Sequence, residues 1–215
     1  MSGRLVAWST LVLVMAALNF ASRFVSTPKQ RVPDFFQWSF GIGGLVQYAV
    51  ILGIILAIAA GMRRRETFAL RRPTSVGAAV GIAFAAVVLV GIISYVVSLF
   101  ANPRKAQGLL PPHWVHGHVG AFILSVVAVA VVAPIVEELM FRGLGFRLLE
   151  AYGRWTAILG VGIAFGLAHG VVSGLPILVA FGSALAYLRD RTQSVYPGMV
   201  VHALFNAFAI VVSVA

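Results

Sequence analysis

Seven runs of apolar residues, each near the length that crosses a bilayer, constrain the fold of this chain more than any other feature. A membrane-spanning helix needs about 20 apolar residues. Only 10% of the 215 residues are charged, whereas soluble domains carry about a quarter. The sequence therefore predicts an all-α, polytopic transmembrane helical bundle of about seven spanning helices in the lipid bilayer. The runs cover residues 5–21, 41–62, 76–100, 119–149, 155–172, 175–188 and 197–214.

The formal net charge of +10 could indicate a nucleic-acid-binding protein. The basic residues, however, lie mostly in loops between apolar runs, where they determine topology and contact anionic lipid headgroups. Five arginines lie between residues 62 and 73, and basic segments of this kind stay in the cytoplasm. With seven spans, the loops on that side carry ten basic residues and those on the other side carry five. We expect a cytoplasmic N-terminus and no nucleic-acid partner.

Two segments allow a second interpretation. The first run could be a cleaved signal peptide, because Arg4 precedes it and small residues lie near its end, although no polar mature domain follows. The loop before residue 119 contains His113, His116 and His118, which could together hold a metal ion. Its proline and glycine residues argue against a rigid ligand face, so an interfacial loop is the preferred interpretation. The chain has no cysteine, which excludes thiol chemistry.

Two adjacent carboxylates, Glu137 and Glu138, interrupt the fourth apolar run. Each charged group at bilayer depth costs at least about 2.5–3.5 kcal/mol, so a function or a partner is expected. Arg142 is four residues after Glu138, which is favourable for a helical ion pair. Glu137 points about 100° away around the helix and has no partner nearby in the sequence, so it could activate water. Pro134 should kink or break the run, which would make the glutamates begin a second helical segment.

Two histidines within apolar runs are further candidates. His169 lies in the run 155–172, in which Gly162, Gly166 and Gly170 form a small-residue stripe that permits close helix packing, and it could itself be a packing residue. His202 shares a helix face with Asn206, which favours a polar cavity over lipid contact. At about 1.5 Å per residue, Glu138, His169 and His202 lie at about 14, 22 and 9 Å from the cytoplasmic side. The three groups converge only if helices tilt or a turn lies within the bilayer.

Three motifs carry a family resemblance. Glu137-Glu138-x-x-x-Arg142, Phe165-x-x-x-His169 and His202-x-x-x-Asn206 follow one another in this order. They resemble the type II CAAX prenyl endopeptidases and their bacterial relatives, the CPBP (bacteriocin-processing) family, over residues 119–214. Eukaryotic-type members have about eight spans, whereas seven are counted here.

The resemblance implies an intramembrane endopeptidase whose site opens to the cytosol. Glu137 would activate water with help from His169, His202 and Asn206 would stabilise the oxyanion, and Glu138 with Arg142 would hold the geometry. The family is described both as metal-dependent and as metal-free. Glu137, His169 and His202 could therefore hold Zn, although Asn206 is a poor ligand and a good oxyanion donor.

The resemblance also implies the partners and the organisation of the chain. The substrate would be a membrane-associated peptide or protein, either prenylated or carrying a leader, and the location would be the plasma membrane of a prokaryote. Residues 1–118 would supply N-terminal transmembrane helices and the basic cytoplasmic loop, and residues 119–215 the catalytic core.

Two other functions are alternatives to an intramembrane endopeptidase. A non-catalytic membrane adaptor or a proton-coupled transporter could also use buried Glu and His side chains, but no inverted repeat is visible. A rhomboid-like serine protease would pair Ser183 with His202, which leaves both glutamates unexplained.

Overall fold

Helices and their connections make up the described part of the chain, residues 3–25, 32–101, 110–111 and 113–214 of a computed structural model. No strand occurs in these residues, so the all-α prediction is confirmed. Two single turns of 3₁₀ helix, Ser22–Phe24 and Asp34–Phe36, flank the first loop. The other helices are α1 (Gly3–Ala21), α2 (Trp38–Ile58), the short α3 (Arg64–Thr67), α4 (Val76–Ser98), α5 (Val119–Tyr152), α6 (Arg154–Ala168), α7 (Leu175–Thr192) and α8 (Tyr196–Val214).

Five of these helices, α1, α2, α4, α5 and α8, are long and apolar enough to cross a bilayer. The chain is therefore an integral membrane protein. The helix α6 is apolar but has only 15 residues, and the last turn of α7 carries Arg189 and Arg191. The full set of seven crossings and the cytoplasmic N-terminus stay predictions.

The helix α5 lies at the centre of the bundle. Of its most apolar window 39% is buried, against 17–22% for the other four long helices. Its first half packs against α2 and α8, and its second half packs against α1 and α6. The carboxylates on α5 are therefore enclosed by several other helices.

The sequence predicts that Pro134 kinks or breaks the fourth run, and the break does not occur, because α5 continues without interruption from Val119 to Tyr152. A π-helical turn, Ala128–Val132, directly precedes the proline and widens the helix. In this turn the N–H of Ala133 donates to the carbonyl of Ala128, five residues back. Pro134 has no N–H and cannot serve the next carbonyl, that of Val129. The proline is thus accommodated within the helix, at the expense of one backbone hydrogen bond.

A second π-helical stretch, Leu139–Gly145, follows the glutamates. Side chains from other helices donate to carbonyls within it. Trp8 of α1 donates from Nε1 to the Met140 carbonyl at 3.1 Å, and Arg189 of α7 donates from Nε to the Arg142 carbonyl at 3.2 Å. Backbone carbonyls are hydrogen-bonded less regularly in a π-helical turn than in an α-helical turn. Here side chains of α1 and α7 donate hydrogen bonds to two of these carbonyls. The helix α1 is joined to the core in this way.

Arginines gather at one end of the bundle, at the ends of α1, α2, α5 and α7. Side-chain contacts hold this end together and also fix the loop that leads into α4. The topology prediction assigns these arginines to the cytoplasmic side, and that assignment stays a prediction. The contacts are those of Arg4 with the carbonyls of Ile58 and Ala60, of Arg71 with Gln193, and of Arg154 with Asp190.

The small-residue stripe on α6 packs against two different helices. A Cβ at Gly162 would lie 2.8 Å from the backbone nitrogen of Ser183, and one at Gly166 would lie 2.6 Å from Val179, both on α7. Gly170 lies beyond the end of α6, where a Cβ would meet the backbone of Asn19 at 2.7 Å. The prediction of close helix packing is confirmed for α6 and α7.

An aromatic cluster covers the opposite end of α5, where the rings of Phe36, Trp114 and Phe122 lie 5.0–5.6 Å apart. Trp114 belongs to the histidine loop and joins it to the bundle. His113 and His116 of that loop are exposed. Lys29, Arg31, Pro112, Arg104 and Lys105, which entered the loop and topology predictions, lie outside the described residues.

Candidate active site

Glu138 and Arg142 form the expected ion pair inside the bundle. Arg142 donates from Nη1 to Glu138 Oε1 at 2.7 Å, and both side chains are fully buried. Its Nη2 donates to the Gly182 carbonyl at 3.0 Å, and the guanidinium lies 4.5 Å from the centre of the Phe165 ring. A buried charge is tolerated when it is paired and hydrogen-bonded in this way. The pair therefore ties α5 to α6 and α7.

His202 of α8 lies between the two carboxylates. Its Nδ1 is 3.2 Å from Glu138 Oε1, and its Nε2 is 3.8 Å from Glu137 Oε2. Because an ionised carboxylate can only accept, Nδ1 donates to Glu138. The opposite ring nitrogen, Nε2, is thereby directed at Glu137. The side chain is 3% exposed, so its orientation is determined by protein contacts rather than by solvent.

His169 of the α6 end faces the same carboxylate oxygen. Its Nε2 is 3.8 Å from Glu137 Oε2, and its Nδ1 is 2.7 Å from the Phe165 carbonyl. A carbonyl accepts, so Nδ1 is the donor in this bond as well. The side chain is 26% exposed, against 8% for Glu137 and 3% for His202. His169 is thus the most exposed of these three side chains. The three groups meet although their depths counted along the helices differ.

The atoms that meet at the centre of the site are Glu137 Oε2 and the two Nε2 atoms. In neutral imidazoles whose Nδ1 atoms donate, both Nε2 atoms carry lone pairs. At 3.8 Å, neither is within direct hydrogen-bond distance of the carboxylate oxygen. Three acceptors placed in this way can bind a group that donates hydrogen bonds to them, and a water molecule can donate two.

Glu137, which has no partner nearby in the sequence, has a distant one in the structure. Tyr48, in the middle of α2, donates from its hydroxyl to Glu137 Oε1 at 2.7 Å. The two residues are 89 positions apart, so no local pattern could reveal the contact. The available signal was Tyr48 itself, because tyrosines in membrane proteins concentrate at the interfaces and this one is at the middle of its span.

Asn206 lies on the same helix face as His202 but contacts a different part of α5. Its Nδ2 donates to the Val129 carbonyl at 2.9 Å. That carbonyl is the one left without a backbone donor, because Ala133 donates to Ala128 and Pro134 has no N–H. One N–H of the Asn206 amide is therefore engaged in compensating for the proline, and the second is available for a ligand.

Close approach of α8 to Glu138 depends on a glycine. A Cβ at Gly198 would lie 2.6 Å from Glu138 Oε2, a buried oxygen for which the described residues provide no hydrogen-bond partner. Any side chain here would displace the carboxylate that orients both Arg142 and His202. The Ser183 hydroxyl is buried against Gly162 and makes no hydrogen bond within the described residues, so the Ser183–His202 dyad is not formed.

The set Glu137, His169 and His202 is not supported as a zinc site. Within residues 3–25, 32–101, 110–111 and 113–214, no three or more His, Cys, Asp or Glu side chains are arranged to hold a metal ion. The loop histidines His113 and His116 are likewise not part of such a group. Oε1 of Glu137 is also bound by Tyr48, which leaves one oxygen. We therefore assign no chemical step to a metal.

Comparison with known proteins covers the segment that carries these residues. Residues 119–208, which contain the two glutamates, Arg142, His169 and His202, match the family described as type II CAAX prenyl endopeptidase Rce1-like. We refer to this stretch, which is similar to that family, as the Rce1-like segment. The resemblance indicated by the three motifs is thereby confirmed, and the Rce1-like segment begins at the first residue of α5. Tyr48 lies outside it.

Two curated relatives match the chain over 89 residues each. One, "Putative membrane peptidase YdiL" of Bacillus subtilis, is 29% identical over 41% of this chain and 36% of its own length. The other, "UPF0177 protein YaiF" of Lactococcus lactis, is 33% identical over 40% of this chain and 38% of its own length. The matches thus span little more than a third of either relative. No solved structure matches the chain.

Proposed function

We propose that this protein is an intramembrane endopeptidase that hydrolyses a peptide bond of a membrane-associated peptide with water activated by Glu137. The observation that carries the proposal is the convergence of Glu137 Oε2 with the Nε2 atoms of His169 and His202, at 3.8 Å from each. A water molecule between these atoms would donate to two of them and point its oxygen towards a substrate carbonyl. The Rce1-like segment and the relative designated as a membrane peptidase support the same reaction class.

In the proposed reaction, Glu137 Oε2 accepts a proton from water as the water oxygen forms a bond to the scissile carbonyl carbon. The carbonyl oxygen becomes an oxyanion. When the C–N bond breaks, the proton held by Glu137 passes to the leaving amine. The products are a carboxylic acid and an amine, so all atoms of water and substrate are accounted for.

His202 is the proposed oxyanion donor, with the second N–H of Asn206 as the other. The buried cluster holds two carboxylates, Glu137 and Glu138, against one guanidinium, Arg142. One proton added to His202, the imidazole that faces both carboxylates, would balance these charges. Its Nε2 would then be a donor rather than an acceptor, so the water would donate to Glu137 Oε2 and His169 Nε2. Donors in such a low-dielectric site stabilise developing charge most strongly.

The proposed substrate is a peptide attached to the membrane by a prenyl group or carrying an apolar leader. Tyr48 is the midpoint of α2, about 15 Å along the helix from either end, so the scissile bond has to reach the bilayer interior. An apolar anchor would bring a peptide to that depth. The plasma membrane of a prokaryote is the proposed location.

The deciding experiment compares membrane peptides from cells that express the wild type or Glu137→Gln. We expect peptide products only with the wild type, because Gln cannot take the proton from water, whereas both proteins insert equally. Glu66→Gln is a matched control, since Glu66 is exposed and its one ion pair within the described part of the chain is with Arg63 at 3.1 Å. His169→Ala should also abolish cleavage. Full proteolysis by Glu137→Gln would refute the mechanism.

The same variants separate the other functions. A proton-coupled transporter would show solute flux that depends on Glu137 and no peptide product. An adaptor would keep its partner contacts in Glu137→Gln. Metal analysis of active, chelator-washed protein then tests zinc directly: activity without stoichiometric metal agrees with the geometry, and strict dependence on bound zinc would contradict it.

A further inference from the structure

One side chain that touches the proposed base comes from outside the Rce1-like segment. Tyr48 donates from its hydroxyl to Glu137 Oε1 at 2.7 Å, a short hydrogen bond between α2 and α5. Elsewhere along the same contact, Gly41 of α2 faces Leu124 and Gly44 faces Ala128. Tyr48 thus adds a polar contact between α2 and the site.

This bond makes the two oxygens of Glu137 different. Oε1 is engaged by the tyrosine, and Oε2 is directed towards His169 and His202. A Glu side chain has three rotatable bonds, and its ionised carboxylate would otherwise compete for the nearby Arg142. A donor fixed on a rigid helix removes that freedom, and errors of about 1 Å in a reacting group can lower rates about 100-fold.

We infer that Tyr48 is a positioning residue of the reaction, which selects Oε2 of Glu137 as the basic oxygen and keeps it between the two histidines. The inference rests on the proposed function and deepens it. It also gives the N-terminal helices a part in the site: residues 119–208 alone lack the donor that orients the base.

A purely structural role for Tyr48 predicts different behaviour. Tyrosine and phenylalanine share the same ring, so Tyr48→Phe removes the hydroxyl while the packing between α2 and α5 is kept. If Tyr48 served only for packing, the Tyr48→Phe protein would lose a small amount of stability and keep its turnover. A positioning residue would lose turnover with unchanged substrate binding, because its hydroxyl is engaged by Glu137 Oε1.

The test uses the full chain in lipid bilayers, with Tyr95→Phe as the matched control. Tyr95 is on α4, 67% exposed, and distant in sequence from the site. The first readout is the infrared band of the Glu137 carboxylate, identified by its loss in Glu137→Gln. The chain has only six acidic residues, so a single carboxylate band can be resolved by difference. The second readout is peptide cleavage, with kcat and KM measured separately.

We expect the Glu137 band to shift in Tyr48→Phe and to stay in place in Tyr95→Phe. In the same variant kcat should fall by about 10- to 100-fold with KM nearly unchanged. An unshifted band would overturn the inference, and so would a shifted band with unchanged kcat. If the wild type cleaves no membrane peptide, the proposed function fails, while the band still decides whether Tyr48 binds Glu137.

Discussion

The link between Pro134 and Asn206 gives a prediction that can be worked from the structure. Asn206→Leu replaces the amide by an apolar group of similar size, so the Val129 carbonyl loses the donor at 2.9 Å. No backbone group can replace it, since Ala133 already donates to Ala128 and Pro134 has no N–H. Unsatisfied buried groups cost about 1–3 kcal/mol, and side-chain hydrogen bonds in membrane proteins average about 0.6 and reach about 1.7 kcal/mol. We expect a loss of about 1–2 kcal/mol.

The prediction becomes specific in a double-mutant cycle with Pro134→Ala. Alanine restores an N–H at position 134, which can serve the Val129 carbonyl in the π register. In that background Asn206→Leu should cost clearly less, with a coupling free energy of about 1 kcal/mol between the two sites. The measurement is the free energy of unfolding of all four proteins in bilayer-like bicelles, by steric trapping.

Asn19→Leu is the matched control for this cycle. Asn19 also donates its amide to a backbone carbonyl, that of Ala168 at the end of α6, at 2.6 Å. That carbonyl has no relation to Pro134, so the cost of Asn19→Leu should be the same with proline or alanine. Equal costs of Asn206→Leu in the two backgrounds would refute the reasoning that the proline creates the need for Asn206.

Three further changes test the buried charges and their supports. Gly198→Ala should abolish activity and cost about 1–3 kcal/mol, because the added methyl would lie 2.6 Å from Glu138 Oε2; cleavage and unfolding assays measure both. Arg142→Met should cost about 3–5 kcal/mol in unfolding free energy, since the fully buried Glu138 would lose its counter-charge. Trp8→Phe should cost about 1 kcal/mol by the same assay, because the bond from Trp8 to the Met140 carbonyl is lost.

Each of these changes has a control or an outcome that contradicts it. Gly81→Ala on α4 adds the same methyl where nothing lies within 4 Å, so it should leave stability and activity unchanged. If the cost of Arg142→Met comes from the uncompensated charge of Glu138, the double variant Arg142→Met, Glu138→Leu should regain stability. A double variant that stays as unstable as Arg142→Met would contradict this explanation. A Trp8→Phe protein as stable as the wild type would show that the Met140 carbonyl needs no second donor.

Local sequence determined much of this protein. Long apolar runs leave helices as the structure in a bilayer, because backbone polar groups cannot pair with lipid and a helix satisfies nearly all of them within one segment. The ion pair of Glu138 and Arg142 follows from helix geometry alone, since residues four apart share a face, and it is present at 2.7 Å. The order of the three motifs sufficed to indicate the family that residues 119–208 match.

The predicted break at Pro134 failed for a physical reason. A proline removes one donor from a helix, and the sequence does not show how the orphaned carbonyl is satisfied. Here a π-helical turn accommodates the proline, and the side chain of Asn206, 77 residues after Val129, donates to the Val129 carbonyl. The loss was thus compensated between helices, where a local pattern carries no information.

Tertiary structure alone decided which side chains of different helices come together in the site. Tyr48 reaches Glu137 across 89 residues, and the histidines of α6 and α8 converge on one carboxylate oxygen although their depths along the helices differ. Such contacts depend on how helices pack, and here glycines at the helix contacts set that approach, as at Gly162 and Gly198. The sequence supplied the reactive side chains and their spacing within each helix; packing around α5 determined which oxygen of Glu137 faces the histidines.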